Sequence, residues 1–310
     1  MRTRLLDCDG SIVAQQLLLE HFDPDVHDLR AWGPRLRRGC SRRHFDRLAD
    51  TALAQLDAAP GPWLTFLGSG DFHHLGLALL RRRETPFNLL VVDDRPDWTP
   101  GGASIGSGNW LRHALACPQA QRLFHVGGNS GFDDARGRAP RRALQEGRLV
   151  LFPAIRTFRG GGWDRVPHEP LRSNAFRRCD LQRLENMLHP YRDELLRWPL
   201  YVSLDKSVLV LRDAAVNGPS GCLWLEEMLD VVQTFARLSD DHLVGMDIAG
   251  DWSAARTGGW RQRWLPWRSE PHCEVDAVQA RLINERTNLR IVNRLFAPDK
   301  AAAALQPLAA

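Results

Sequence analysis

The sequence predicts a three-layer α/β/α protein with a mostly parallel sheet of about eight strands. Short apolar runs alternate with amphipathic stretches along most of the 310 residues. The apolar runs are continuous rather than alternating, which is typical of strands that are buried on both faces of a parallel sheet. Strands that alternate with helices in this way favour helices on both faces of the sheet.

The apolar runs set the predicted strands, and the amphipathic stretches set the predicted helices. In chain order the strands are Arg4–Leu6, Trp63–Leu67, Leu89–Val92, Leu123–Val126, Leu149–Phe152, Leu200–Leu204, Leu243–Ile248 and a short one at Leu289–Val292. The helices are Arg42–Asp57, Leu75–Arg83, Asp180–Leu188 and Leu223–Leu238. Apolar residues recur on one side of each predicted helix, as expected for helices that cover a sheet.

The chain is predicted to form one domain over residues 1–298. The stretch Arg156–Pro170 is rich in Gly and Pro, but a strand of the same type follows it, so we interpret it as a long loop within the domain. The Ala-rich residues 299–310 are predicted to form a flexible tail.

Composition limits the classes of function. The basic stretch Arg35–Arg47 is not interleaved with stacking aromatic residues, which argues against nucleic-acid binding. No apolar run approaches membrane-spanning length, so no membrane association is expected. The cysteines are scattered and form no C-x-x-C pair, which is typical of a reducing, cytoplasmic compartment. A homo-oligomer is compatible with the sequence.

Polar residues lie at or just after the carboxyl ends of the predicted strands, where open α/β sheets place their chemistry. They are Asp71, His73, His74, Asp93, Arg95, Asp97, Ser203, Asp205, Ser207, Asp247 and Asp251. Alternate residues of an extended chain share a face. Asp93, Arg95 and Asp97 are therefore expected to lie together, and Lys206 is expected to point away from Asp205.

The segment VVDDRPDW, Val91–Trp98, allows two explanations. It could be a solvated turn whose charges pair with one another. It could instead hold metal ligands, with one ligand replaced by arginine. Asp7 and Asp9 form a separate D-x-D at a strand end, as in some phosphotransferases, but the rest of such a pattern is absent.

Five motifs in order resemble those of the ureohydrolase family, which includes arginase, agmatinase and formiminoglutamase. The family pattern is G-G-D-H, D-x-H-x-D, S-G-N, S-x-D-x-D and G-G-L-x-x-x-E. Here the motifs read GSGDFHH, DDRPD, SGN, SLDKS and SGCLWLEE, and the resemblance covers residues 63–253. It implies the arginase/deacetylase fold. It also implies hydrolysis of a non-peptide C–N bond in a small guanidino, amidino or amide substrate.

The resemblance implies metal ligands at His73, Asp93, Asp97 and Asp205. Phe72 stands where the family has its histidine, so the first ligand is either His73 or His74. These residues would hold one divalent ion, expected to be Mn²⁺.

In the family, the histidine of D-x-H-x-D and the last aspartate of S-x-D-x-D bind only the second metal ion. Arg95 and Ser207 occupy these two positions here, so the resemblance implies that the second metal site is lost. Arginine offers no lone pair to a metal. The resemblance instead suggests that Arg95 replaces part of the missing charge through hydrogen bonds to Asp93 or Asp205. Arg95 is therefore a candidate catalytic residue.

The resemblance also implies a substrate side of the site. Ser107 and Asn109 match the family's contacts to an amino-acid carboxylate, and Asp251 is predicted to orient a cationic group of the substrate, a second catalytic role. Leu111 replaces the family's proton-shuttle histidine, with His113 two positions further on. A competing interpretation is an inactive arginase-fold protein that binds a small molecule or a partner, with no metal.

Overall fold

The computed structural model describes residues 2–56, 62–127, 140–154, 180–254 and 275–296. Its main sheet has eight strands. They are β1 Arg2–Asp7, β2 Asp25–Asp28, β3 Trp63–Gly68, β4 Phe87–Asp93, β5 Ala120–Gly127, β6 Leu149–Pro153, β7 Leu200–Asp205 and β8 Leu243–Ala249. A separate antiparallel pair joins Cys40–Ser41 to Ser104–Ile105.

The strand order is β2-β1-β3-β8-β7-β4-β5-β6, and each neighbouring pair in this sheet is parallel. The prediction of a mostly parallel sheet of about eight strands is confirmed. Strands β3 and β4 follow each other in the chain, but β8 and β7 lie between them. Parallel strands place their carboxyl ends at one edge, so residues that follow β3, β4, β7 and β8 meet there.

Ten α-helices accompany the sheet in the described residues. They are α1 Gln16–Phe22, α2 Gly33–Leu36, α3 Arg42–Asp50, α4 Gly76–Arg81, α5 Trp110–Leu115, α6 Arg141–Gln145, α7 Leu181–Leu188, α8 Arg192–Arg197, α9 Leu225–Leu238 and α10 Ala277–Phe296. Short 3₁₀ helices cover Gly70–Leu75, His189–Tyr191 and Lys206–Val208. None of the described helices combines the length and apolar character needed to cross a membrane.

Hydrophobic cores lie on both faces of the sheet. Leu89 and Val91 of β4 belong to one core. Leu90 and Val92 belong to the other. Alternate residues of one strand thus enter opposite cores, which explains why β4 reads as an unbroken apolar run.

Some sequence predictions were wrong. The predicted strand Leu289–Val292 lies inside α10, because a four-residue segment with three apolar residues is too short to separate a strand from a buried helical turn. Strand β2 was missed because it is a polar edge strand with the sequence DVHD. The helix predicted at Arg42–Asp57 ends at Asp50.

Two other predictions fall outside the described residues. Most of the proposed loop Arg156–Pro170 and all of the proposed tail 299–310 lie there. The single-domain organisation of residues 1–298 stays a prediction.

Candidate metal centre

Three elements bring the candidate ligands together at the carboxyl edge of the sheet. Asp93 is the last residue of β4, and Asp205 is the last residue of β7. These strands are parallel neighbours, with Val92 opposite Leu204, so both carboxylates emerge at the same level. His73 lies in the 3₁₀ helix that directly follows β3.

The side chains converge on the ring of His73. Its Nδ1 lies 3.3 Å from Asp93 Oδ2, 3.4 Å from Asp205 Oδ2 and 3.7 Å from Asp97 Oδ2. His73, Asp93 and Asp205 each offer an atom within 4.8 Å of the others, and all three are buried. The predicted convergence is therefore present.

The cluster fits a divalent cation. Neither His73 Nδ1 nor Asp93 Oδ2 has a hydrogen-bond partner among the described residues, although both are buried. Cations of this class hold oxygen and nitrogen ligands at about 2.0–2.6 Å, which leaves the ligands about 3–4 Å apart. The distances around Nδ1 lie in this range. Unpartnered buried polar atoms are costly, and a bound cation would satisfy them.

Without a cation the cluster is electrostatically unbalanced. Burial raises the pKa of Asp93, and the neighbouring Asp97 raises it further. Burial also raises the pKa of Asp205, and the negative charge of Asp93 raises it further. Burial lowers the pKa of His73, but the surrounding carboxylates outweigh it and raise that pKa well above its ordinary value. A bound cation would displace the His73 proton and relieve the repulsion between the carboxylates.

His74, the alternative ligand, faces away from the carboxylates. Its ring packs near Phe45, with centroids 6.2 Å apart. Burial lowers its pKa to about 3. The carboxylates therefore surround His73 and not His74, so His73 is the candidate ligand of the two that the sequence had left open.

A hydrogen-bonded chain behind His73 fixes the ring. His73 Nε2 lies 2.9 Å from Ser203 Oγ, and Ser203 Oγ donates to Asp247 Oδ1 at 2.7 Å. Tyr201 donates to the other oxygen of Asp247 at 3.0 Å. Burial raises the pKa of Asp247 to about 6, while the hydrogen bonds from Ser203 and Tyr201 favour its charged form. The chain favours the tautomer with Nε2 protonated and leaves the Nδ1 lone pair for a metal.

Replacing Ser203 by alanine is expected to weaken Mn²⁺ binding by about 10–100-fold, because supporting residues of this type orient the ligand. A fluorescence or calorimetric titration with Mn²⁺ measures the change. Ser239→Ala is the matched control, since Ser239 is also buried but lies at the end of α9. Equal affinities for wild type and Ser203→Ala would show that the hydrogen-bonded chain does not orient His73.

Ser207 ties two of the carboxylates together. Its hydroxyl donates to Asp93 Oδ1 at 3.0 Å, and its backbone N–H donates to Asp205 Oδ1 at 2.8 Å. The Arg95 N–H donates to the same oxygen of Asp93 at 3.0 Å. These bonds use the outer oxygens and leave Asp93 Oδ2 and Asp205 Oδ2 directed at His73.

Asp97 is held by a residue that the sequence did not reveal. Trp110, the first residue of α5, donates its indole N–H to Asp97 Oδ2 at 3.0 Å. Asp97 adopts a positive φ of 42°, a conformation that is uncommon for residues other than glycine. Such a conformation needs support from its surroundings, which Trp110 supplies.

Arg95 does not make the contact predicted from the sequence. No ion pair within 4.0 Å joins it to Asp93 or Asp205 among the residues described here. Its backbone is fixed, since His125 Nε2 donates to its carbonyl at 2.9 Å. The Arg95 side chain is exposed to solvent, and its pKa is shifted by two opposing effects. Partial desolvation by the surrounding protein acts to lower the pKa. Nearby carboxylates, led by that of Asp97, outweigh this and raise the pKa. Arg95 therefore lies beside the cluster without pairing directly with Asp93 or Asp205.

Asp251 is not part of the cluster. Its Oδ1 accepts hydrogen bonds from Lys206 Nζ at 2.9 Å and from Gln15 Nε2 at 2.7 Å. Both members of the Lys206–Asp251 pair are buried. The predicted role in orienting a cationic substrate is not supported, because the chain's own ammonium group already neutralises this carboxylate.

The other predicted substrate contacts lie in the turn before α5. Asn109 accepts from the Gly106 N–H at 2.8 Å and donates to the Ser104 carbonyl at 3.0 Å, so its amide is used by the turn. Ser107 lies in the same turn. Leu111 is buried, and His113 lies 3.3 Å from the Ser104 carbonyl oxygen. The turn reaches the cluster through Trp110 rather than through the predicted residues.

No protein-family profile matches the chain. A protein of Thermotoga maritima described as uncharacterized is 25% identical over 189 residues, which cover 61% of this chain and 58% of that protein. The match thus spans less than two thirds of the relative's length.

Solved structures show the fold. The chain is similar to formimidoylglutamase of Bacillus subtilis, with a TM-score of 0.57, 12% identity, and coverage of 95% of this chain and 86% of that one. It is similar to Helicobacter pylori arginase, with a TM-score of 0.57, 11% identity, and 95% and 99% coverage. It is also similar to arginase of Bacillus subtilis, with a TM-score of 0.55, 12% identity, and coverage of 96% of this chain and 99% of that one. The chain therefore has the arginase-type α/β fold.

Proposed function

We propose that the chain is a metal-dependent hydrolase that cleaves a non-peptide C–N bond in a small guanidino, amidino or amide compound. The observation that carries the proposal is the convergence of two buried atoms, His73 Nδ1 and Asp93 Oδ2, which lack a hydrogen-bond partner in the described part of the chain, with Asp205 Oδ2 beside them. The arginase-type fold of the chain supports the same class of reaction.

The metal would be held by His73, Asp93 and Asp205, with Asp97 at the side of this group. A bound divalent cation, proposed to be Mn²⁺, supplies Lewis-acid polarisation for hydrolysis. The chain's own residues prepare the site. Ser203 keeps the His73 ring oriented, and Ser207 holds two carboxylates in place.

The charges favour one metal ion together with Arg95. Three carboxylates contribute three negative charges, and one divalent cation contributes two positive charges. The guanidinium of Arg95, which also lies near the buried carboxylate of Asp94, adds one positive charge, because arginine stays protonated in proteins. The Ser207 hydroxyl donates a hydrogen bond to Asp93, so Ser207 supports a carboxylate and does not replace the aspartate that would bind a second metal ion.

Wild-type protein is expected to bind one Mn²⁺ per chain, and the double variant Arg95→His with Ser207→Asp is expected to bind two. The two changes restore an imidazole and a carboxylate where the ureohydrolase motifs have them. Elemental analysis of protein purified without chelator measures the stoichiometry. The matched control is Arg237→His with Ser239→Asp, which introduces the same residue types away from the cluster.

The same measurement separates the two functional interpretations. Two equivalents of metal in the wild type would contradict the one-metal site. No metal in wild type or in the double variant would favour the alternative, a protein that binds a small molecule or a partner without catalysis. Release of ammonia or urea from a panel of small amides, amidines and guanidino compounds then tests the reaction itself.

A further inference from the structure

Arg95 is an unusual element of this cluster because its side chain is exposed while three nearby acids, Asp93, Asp94 and Asp97, are buried. In the described ranges it forms no ion pair within 4.0 Å. Its Nη2 approaches the bare backbone of Gly218, where an added Cβ would lie 2.7 Å away. The guanidinium thus rests against glycine backbone beside the carboxylate cluster and keeps donors that solvent can reach.

We propose that Arg95 binds an anionic group of the substrate, a carboxylate or a phosphate, next to the metal ligands, and that the site selects against guanidinium cations. This inference rests on the proposed function and narrows its substrate class to amide or amidino compounds that carry an anion near the scissile bond. Arginine presents a planar fork of donors that matches either oxyanion.

The acidic residues that would hold a cationic substrate are committed elsewhere. Asp251 is buried against Lys206, whose Nζ lies 2.9 Å away. Asp71 pairs with Arg37 at 2.7 Å and with Arg38 at 3.0 Å. A guanidinium entering the site would therefore meet the charge of Arg95 without finding a free carboxylate among these residues.

The position of the guanidinium also favours an anion over a cation. One divalent cation and Arg95 would offset the charges of Asp93, Asp97 and Asp205, while the buried carboxylate of Asp94 also lies near the guanidinium. An anionic oxygen that enters from solvent meets the exposed side chain of Arg95. A cation would enter against the direct repulsion of that guanidinium.

Isothermal titration of the Mn²⁺-loaded full chain with sodium acetate, inorganic phosphate and guanidinium chloride tests the proposal. Low ionic strength is needed because salt screens exposed charges. Wild type is expected to bind acetate, phosphate or both, and not guanidinium. Binding of acetate alone identifies a carboxylate, and binding of phosphate alone identifies a phosphate. Arg95→Met is expected to weaken anion binding at least about tenfold, the value of a charge-assisted hydrogen bond.

Two further variants make the result interpretable. Arg237→Met removes the same charge from the end of α9, where Arg237 pairs with Glu185, and is expected to bind anions as wild type does. Arg95→Lys keeps the charge without the fork and is expected to bind with intermediate affinity. If Arg95→Met fails to fold, Arg95→Lys replaces it as the test variant. Weaker anion binding by Arg95→Lys than by wild type then supports the proposal.

Wild-type anion affinity in Arg95→Met, or guanidinium binding without anion binding in wild type, would overturn the proposal. Metal stoichiometry is measured on the same samples to separate it from the proposed function. Loss of anion binding with one Mn²⁺ retained supports both. If the protein takes up no Mn²⁺ but still binds anions through Arg95, only the proposed function is overturned. Absence of both metal and anion binding overturns both.

Discussion

Replacing Asp93 by asparagine is expected to lower Mn²⁺ affinity by more than about 100-fold, since supporting residues alone account for about 10–100-fold. The replaced oxygen, Oδ2, is the buried carboxylate atom closest to His73 Nδ1, at 3.3 Å. An asparagine keeps an acceptor for Ser207 and for the Arg95 N–H but removes the charge. Activity on any substrate of the proposed class should fall with the metal.

The loss of metal binding should also appear in thermal stability. Wild type is expected to be stabilised by Mn²⁺ by about 2.7 kcal/mol when the free metal reaches 100 times its dissociation constant. Asp93→Asn should show no such stabilisation. Without metal it should be at least as stable as wild type, because burial raises the pKa of Asp93 and disfavours its charge. Differential scanning calorimetry with and without Mn²⁺ measures both effects.

Asp230→Asn is the matched control for this measurement. Asp230 lies on α9 and forms a partly exposed ion pair with Arg294 at 3.7 Å. Its loss should leave the metal-dependent stabilisation unchanged. If Asp93→Asn retained the full Mn²⁺ effect, the cation would not bind between Asp93 and His73, and the candidate centre would be wrong.

The fold was predictable because β4 and its neighbours are buried on both faces, so their sequences are continuously apolar. Strand β2 escaped prediction because an edge strand with the sequence DVHD carries no such pattern. The segment Leu289–Val292 misled because two of its residues, Ile291 and Val292, are buried on one side of a long helix. Burial alone does not distinguish the two kinds of element over four residues.

The candidate site was predictable to the extent that strand ends fix it. Asp93 and Asp205 end neighbouring strands, and their positions follow from the apolar stretches that each of them closes. The choice between His73 and His74 depends on the 3₁₀ turn after β3, which sequence patterns do not define. Trp110 donates a hydrogen bond to Asp97 from thirteen residues further along the chain, and local sequence patterns do not predict such a contact.

Asp251 shows why a motif position alone does not establish a role. It follows β8 at the sheet edge, where a substrate contact was expected. From the sequence, Lys206 was expected only to point away from Asp205. In the structure its ammonium group lies 2.9 Å from Asp251 Oδ1 and 2.9 Å from Asn288 Oδ1. Burial lowers the pKa of Lys206 and raises that of Asp251, and the pair offsets these costs by mutual contact.

Replacing Lys206 by methionine is expected to destabilise the protein by about 3–5 kcal/mol, because it leaves the Asp251 carboxylate buried without a counter-charge. The methionine fills a similar volume, so the loss reports charge rather than packing. Gln15 and Asn288 remain as donors to Asp251 Oδ1, at 2.7 Å and 3.3 Å, but neither is charged. Urea unfolding followed by circular dichroism measures the free energy of unfolding.

The double variant Lys206→Met with Asp251→Leu should recover most of that loss, since replacing both members of a buried ion pair by apolar residues is often neutral or stabilising. The exposed pair of Arg237 and Glu185 is the control, and Arg237→Met should cost less than about 1 kcal/mol. The double-mutant cycle gives the coupling energy between Lys206 and Asp251. A coupling near zero would mean that Lys206 does not neutralise Asp251. That carboxylate would then be free to attract a cationic substrate, and the argument that Arg95 selects an anion would lose one of its supports.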